Sequence, residues 1–198
     1  DAVIGDDIIM LSDAAQIAFG TNSEITLAHV HNVGLNLKHT ATADDKPIIL
    51  TLQTGETDMA ANDVMGKIAF QAPDEGTGTD AVLVAAAIQA RAEGDFSSSS
   101  NATSLDFMTG ASEAATTKMS ITSAGLLGIG TSAPGGNLHI QGAAGNAVRI
   151  YLTDGDATGV GNSLLIGKSG SSSFIYDRQA SSNLWFGTAD AERMRIDS

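Results

Sequence analysis

Apolar and polar residues alternate along most of this 198-residue chain, in short runs closed by turn-forming residues. Ile25, Leu27, His29 and His31 interleave with Thr26, Ala28 and Val30. Side chains that recur every second residue belong to strands, whose faces alternate. Further runs are Ile8–Leu11, Gln16–Phe19, Leu35–His39 and Ile48–Leu52, separated by Gly20-Thr21-Asn22-Ser23, Asn32-Val33-Gly34 and Asp44-Asp45-Lys46-Pro47. Short strands at intervals of about ten residues are the signature of an all-β chain. Gly66–Ala72 predicts another strand, followed by a Gly/Asp/Thr-rich loop over 73–80. Residues 81–93 carry two signals. Their alanines favour a helix, whereas Val82, Val84, Ala86, Ile88, Ala90 and Ala92 line one face of a strand, and the strand is the reading adopted. Ala147–Leu152, Leu164–Gly167 and Phe174–Asp177 complete the pattern, with a loop expected over Ser169–Ser173.

One phrase occurs twice. Leu105-Asp106-Phe107-Met108-Thr109 leads, ten residues after its Thr, to Met119-Ser120-Ile121-Thr122-Ser123. Leu184-Trp185-Phe186-Gly187-Thr188 leads to Met194-Arg195-Ile196-Asp197-Ser198, with a loop shorter by four residues. Leu-x-Phe-x-Thr, a polar loop, then Met-x-Ile-x-Ser predicts a strand–loop–strand unit used twice, hence an architecture of repeats. The organisation expected is a β-rich segment over 1–62, a first full module over 63–142 and a second, truncated module over 143–198. The first copy runs on through Thr131 while the second stops at Ser198, and the chain starts at Asp1. A piece of a longer protein is therefore expected.

Composition sharpens this picture. Aromatics are 5% of residues and Gly contributes 22, so few large side chains exist to build a deep core. Thin layers of small residues need neighbouring repeats or subunits to bury their apolar faces. The net charge of −13 disfavours nucleic acid and anionic membrane surfaces as partners. Without cysteine there is no disulfide framework and no thiolate site. No apolar run approaches the roughly 20 residues of a membrane span, so membrane insertion is not expected.

Ser123-Ala124-Gly125-Leu126-Leu127-Gly128-Ile129-Gly130-Thr131-Ser132-Ala133-Pro134, continuing to Leu138-His139-Ile140, resembles the S-x-G-x-x-G-I-G-T-x-x-P … L-x-(I/V) junction of tailed-bacteriophage tail fibres and related appendages. Glu192-Arg193-Met194-Arg195-Ile196 resembles the E-R-M-R-I strand that enters that junction, and Lys118–Thr122 occupies the same place in the first copy. Gly66–Gln71 and Ala87-Ile88-Gln89-Ala90 suit the same module. The likeness covers 63–198 and touches 1–62 only in style.

The resemblance implies an elongated, homotrimeric β-fibre. Residues 1–62 become an N-terminal shaft segment, and 63–142 and 143–198 two fibre repeat modules. It implies a structural, extracellular virion protein that supports host attachment, with other tail proteins and a host-surface glycan or protein as partners. Many such fibres end in a self-cleaving chaperone domain. Nothing here matches one, and any such domain would lie beyond Ser198.

Within that frame His29 and His31 are the candidate metal ligands. At i and i+2 on a strand they project from one face. In a three-fold fibre that face, turned to the axis, would present six imidazoles to one divalent ion, a donor set that suits Zn, Ni or Fe. The alternative is a pair of ordinary half-buried histidines bonded to backbone or water. No other cofactor is expected.

Other motifs fail on their own physics. Gly128-Ile129-Gly130-Thr131-Ser132-Ala133 fits G-x-G-x-x-A, but Pro134-Gly135-Gly136 prevents the helix whose N-terminus holds the pyrophosphate. Gly167-Lys168-Ser169 ends like a phosphate loop, yet its first glycine position is Asn162. Asp154–Gly159 starts like a calcium loop, but the twelfth position is Leu165. Glu56, Asp58, Asp74, Glu75, Asp154 and Asp156 sit in turn-like contexts, and no nucleophile or paired-carboxylate set emerges, so the chain is not expected to be an enzyme. The rivals are a receptor- or glycan-binding part of the fibre, which exposed Trp185, Tyr151 and Tyr176 on one face would favour, and a bacterial surface filament or adhesin. Ile129, Leu138, Ile140, Val148, Ile150, Leu165, Phe174, Phe186, Met194 and Ile196 are expected to be buried. Gly125, Gly128, Gly130 and Gly136 are expected at positions that exclude a Cβ.

Overall fold

Strands account for every regular helix or sheet element among the residues that the computed structural model describes: 9–72, 78–152, 164–177, 183–188 and 191–197. The chain divides into two units, Asp1–Thr51 and Leu52–Ser198. The all-β expectation holds, including over the alanine-rich stretch.

The first unit is a three-stranded antiparallel meander of β1 (Gln16–Phe19), β2 (Ile25–Val30) and β3 (Gly34–His39). Ile17, Leu27 and Leu37 line up across it, and so do Phe19, Ile25 and His39. Residues paired across a ladder share a face, so one side of this sheet is apolar and the other carries Gln16, Thr26, Asn36 and Lys38. Two expected strands do not form among the described residues: 9–11 of the expected 8–11 (Ile8 lies outside them) and 48–52 pair with no ladder. Their apolar patterning suits a strand, but no neighbour among the described residues offers the backbone partners that a strand requires.

In the second unit β4 (Val64–Gln71), β5 (Val84–Ala92), β6 (Thr103–Thr109), β7 (Thr116–Ile121), β8 (Leu127–Ile129) and β9 (Leu138–Ile140) form one sheet in sequence order. Every pair is antiparallel except β8–β9. Alanine does not make β5 a helix because β4 and β6 pair with it on both edges, and tertiary pairing overrides propensity. Residues 52–62, grouped by sequence with the N-terminal segment, bond to this sheet instead. Asn62 N donates to Ala92 O (2.9 Å) and Phe96 N to Met59 O (2.8 Å).

Parallel neighbours usually need a crossover of about a dozen residues or more, yet β8 and β9 are joined by residues 130–137 alone. Glycine permits this. Gly130 has φ +76° and a Cβ there would strike the Gln141 carbonyl, while a Cβ on Gly128 would strike the Thr131 carbonyl. Gly125 also has positive φ (75°), whereas Gly136 faces open space, so the expectation of an excluded Cβ does not apply to it.

A further antiparallel sheet contains β10 (Val148–Leu152), β11 (Leu164–Ser169) and β12 (Ser172–Asp177). The expected loop over 169–173 contracts to a turn at Gly170 and Ser171, with Ser169 and Ser172 paired. β13 (Leu184–Thr188) and β14 (Ala191–Ile196) form a hairpin.

The repeated phrase is a repeated structure. In the β6–β7 hairpin Leu105 pairs with Ile121 and Phe107 with Met119, and a register shift follows Phe107. In β13–β14 Leu184 pairs with Ile196 and Phe186 with Met194, and a register shift follows Phe186.

Burial is inverted relative to an ordinary soluble sheet. In the six-stranded sheet one face carries Ile68, Phe70, Ile88, Leu105, Phe107, Ile121, Ile129 and Leu138. Phe70 and Leu138 each remain 55% exposed, and Leu105 41%. The opposite face holds Ser104, Asp106 and Ser120, all at 0% exposure. In the meander both faces are largely open: Phe19 and Leu35 are exposed on one, Gln16, Asn36 and Lys38 on the other, and Thr26 is buried. Most of the residues expected to be buried are therefore not. Of that set only Leu165 is buried, Ile140, Val148 and Phe174 are intermediate, and Ile129, Leu138, Ile150, Phe186, Met194 and Ile196 are exposed. Their spacing keeps the exposed members of each sheet on one face, but the described residues place no second layer over it.

Candidate functional site

Three groups of side chains have the geometry of sites. The first is the polar cluster at the centre of the six-stranded sheet. Asp106 on β6 stands opposite Gln89 of β5 and Ser120 of β7. Ser120 Oγ donates to Asp106 Oδ1 at 2.6 Å, and Arg91 Nε and Gln89 Nε2 donate to Oδ2 at 2.8 and 3.4 Å. Arg91 Nη1 also reaches Asn62 Oδ1 (3.3 Å), and Ser104 Oγ donates to the Arg91 carbonyl (3.3 Å). On the same face the Thr131 carbonyl lies against Gly128, the residue paired with Ser120. Burial pushes the Asp106 pKa up. Bonds from Arg91 and Ser120, the Arg91 charge and the Gln89 bond outweigh that effect and hold it below its ordinary 3.8. No buried side-chain polar atom among the described residues lacks a partner. The cluster fastens three strands together, and Ser104, Asp106 and Ser120 expose no surface. Sequence reading missed it, although Asp106 and Ser120 occupy the x positions of the first repeated phrase and Trp185 and Arg195 those of the second.

The second group is His29 and His31. Both are exposed, and their rings sit edge to face with centroids 6.3 Å apart. His29 lies opposite Leu35, on the apolar face of the meander. Asp13 Oδ1 approaches His31 Nδ1 at 3.3 Å, a contact the sequence did not suggest. A carboxylate at one ring nitrogen orients an imidazole and leaves the other nitrogen for a ligand. Within one chain the described residues hold no group of three or more metal-ligating side chains. The donor set suits a divalent ion only where several copies contribute.

The third group is aromatic. Tyr151 on β10 and Tyr176 on β12 both lie opposite Leu165 of β11 and so share a face. Phe174 shares it too, stacked on Tyr176 with centroids 5.1 Å apart and ring planes at 23°. The side chain of Trp185, the third aromatic singled out by sequence, lies outside the described residues.

The rejected motifs remain without a ligand geometry. Residues 128–133 leave β8 into a bend with no helix, and Gly167–Ser169 is the end of a strand. The calcium-like 154–159, and Asp74 and Glu75, lie outside the described residues, while Glu56 and Asp58 lie in irregular chain. No helix among the described residues is long and apolar enough to cross a membrane. No protein-family model matches the chain, and no curated protein matches it either.

Proposed function

We propose that this chain is a shaft segment of a homotrimeric tail fibre, or similar appendage, of a tailed bacteriophage, a structural virion protein that supports host attachment. One observation carries the reading: the face that ought to be a core is apolar and open, while the face that ought to be wet is polar and closed. Exposed contiguous apolar surface on this scale is uncommon in a monomer and signals an interaction face. Each half-exposed Ile, Leu or Phe that is covered contributes about 1 kcal/mol, from the 1.5–3 kcal/mol of full burial. Three copies that turn the Phe70–Leu105–Leu138 face towards a common axis give one another the missing layer. The buried Asp106 cluster fixes strand register within each copy, so that the apolar residues stay on the inner side.

The work done is mechanical. A rod built this way holds a recognition tip away from the particle and joins other tail proteins at its ends. Catalysis has no part in it. His29, on the apolar face of the first unit, and His31, in the turn that follows β2, would then meet their counterparts at the axis and share one divalent ion among three chains. The junction phrase at 123–140 supports a phage appendage over a bacterial filament. Sedimentation of the purified chain tests the reading through its mass.

A further inference from the structure

We infer that the aliphatic groove bounded by β9 and the β10–β12 sheet is a binding site for a single-chain aliphatic anion of the fatty-acid class. Ile150, Ile166 and Ile175 stand opposite one another across the three strands and so share a face. Together with Leu138 and Ile140 of β9 that row lines an open hollow of about 650 Å³, within the roughly 300–1,000 Å³ of small-molecule sites. Such sites combine apolar walls with a few placed polar groups. Here the polar side chains are Lys168 and Ser173, which pair with each other two residues along from the isoleucine row and on the same face. Lys168 makes no ion pair among the described residues. At the other end of that face the row of Leu152 and Leu164 closes with Asp177. The two ends are four residues apart along β11, about 14 Å.

The chemistry of these walls selects the ligand. The face is aliphatic along its length, positive at one end and negative at the other. An alkyl chain with an anionic head matches each part: its methylenes lie on the isoleucines and its head meets the Lys168 ammonium, a compact point charge with three donors. The Asp177 end repels that head and so leaves one orientation. The acidity of the chain as a whole is screened beyond about 8 Å at physiological salt, so the head responds chiefly to Lys168. A bilayer is the weaker occupant, because the hollow is concave and takes one chain. A second copy is weaker too, since seating it here would desolvate the Lys168 charge against aliphatic surface.

This inference does not rest on the trimer, and its test separates the two. Dodecanoate below its micellar concentration is titrated calorimetrically into the full chain, beside octanoate, dodecanol and dodecyltrimethylammonium, with the sedimentation mass recorded before and after. Saturable binding of one dodecanoate per chain is expected, with the mass unchanged. Octanoate should bind about a hundredfold more weakly, because each buried methylene is worth about fourfold. Lys168→Gln should weaken dodecanoate about fivefold or more and leave dodecanol unaltered. Ile175→Asp, on an outer strand, should abolish both while strand content persists by circular dichroism. Isoleucine methyl resonances of the unsubstituted chain should shift when dodecanoate is added. No saturable binding, equal affinity for the carboxylate and the ammonium, dodecanoate affinity unmoved by Lys168→Gln, or unmoved isoleucine resonances would each overturn it. So would capture by phosphatidylcholine vesicles with no binding of free dodecanoate, which would give the groove to a bilayer. A mass that falls on adding dodecanoate would give it to a second copy instead.

Discussion

Ser120 donates a 2.6 Å hydrogen bond to Asp106 across the β6–β7 ladder, and neither residue exposes any surface. In a sheet whose apolar side chains lie open, this pair is fully enclosed, and its partners Gln89 and Arg91 are 8% and 19% exposed. Removing one partner of a buried charge pair costs about 3–5 kcal/mol. Arg91 retains 19% of its side-chain exposure, which places Asp106→Ala nearer the lower figure, about 2–4 kcal/mol. Chemical denaturation should show this as a lowered midpoint, with Ser120→Ala costing about 1–2 kcal/mol.

The same carboxylate makes stability depend on acid. Its pKa is lowered in the folded chain, so the unfolded state binds the proton more readily as pH falls. The stabilisation is complete above the ordinary carboxylate range and is lost as pH drops through the folded value, below 3.8. Melting temperature measured from pH 6 to pH 2.5 should fall more steeply in the unsubstituted chain than in Asp106→Asn. Parallel curves would remove Asp106 as the cause.

Gly130 and Gly136 give a matched pair of substitutions. Gly130→Ala places a Cβ at φ +76° against the Gln141 carbonyl, and positive-φ strain together with that collision should cost about 1–3 kcal/mol. Gly136 has no atom within 4 Å of a built Cβ, so Gly136→Ala should stay within about 0.5 kcal/mol of the starting protein. Thermal unfolding of both variants compares them directly.

A shared axial ion would be stoichiometric. Elemental analysis of chelator-free protein should find one divalent ion for three chains, and His29→Ala with His31→Ala should abolish it and lower the melting temperature of the unsubstituted chain to that of its metal-stripped form. Protein without a stoichiometric ion would reduce these histidines to an exposed pair, with His31 beside Asp13.

Much of the fold was legible because alternation is a local signal. Ile25–Val30 and Val84–Ala92 announce their strands by period alone, and the Leu-x-Phe and Met-x-Ile phrases pair in the same register twice. What alternation cannot give is which face is covered. Ile129 and Leu138 carry the same pattern whether a second layer lies within the chain or in another copy, so their burial was overestimated. The Asp106 cluster was hidden for the complementary reason: its members come from three strands, and only the ladder brings Gln89, Arg91, Asp106 and Ser120 together. Tyr151 and Tyr176 were recognised as residues of interest, but their common floor, Leu165, emerges only from the β10–β11–β12 register. Residues 48–52 show the converse error, where a strand-like pattern finds no partner.

The trimer is tested most directly by sedimentation of the full chain beside a variant of its open face, Phe70→Asp with Leu105→Asp. On a lone chain these half-exposed sites would tolerate the change at about 1 kcal/mol or less. Between copies they would desolvate carboxylates at the interface. The unsubstituted chain should run at three chain masses and the variant at one, with strand content retained by circular dichroism. A well-behaved single-mass species for the unsubstituted chain, unaltered by the two aspartates, would contradict the account.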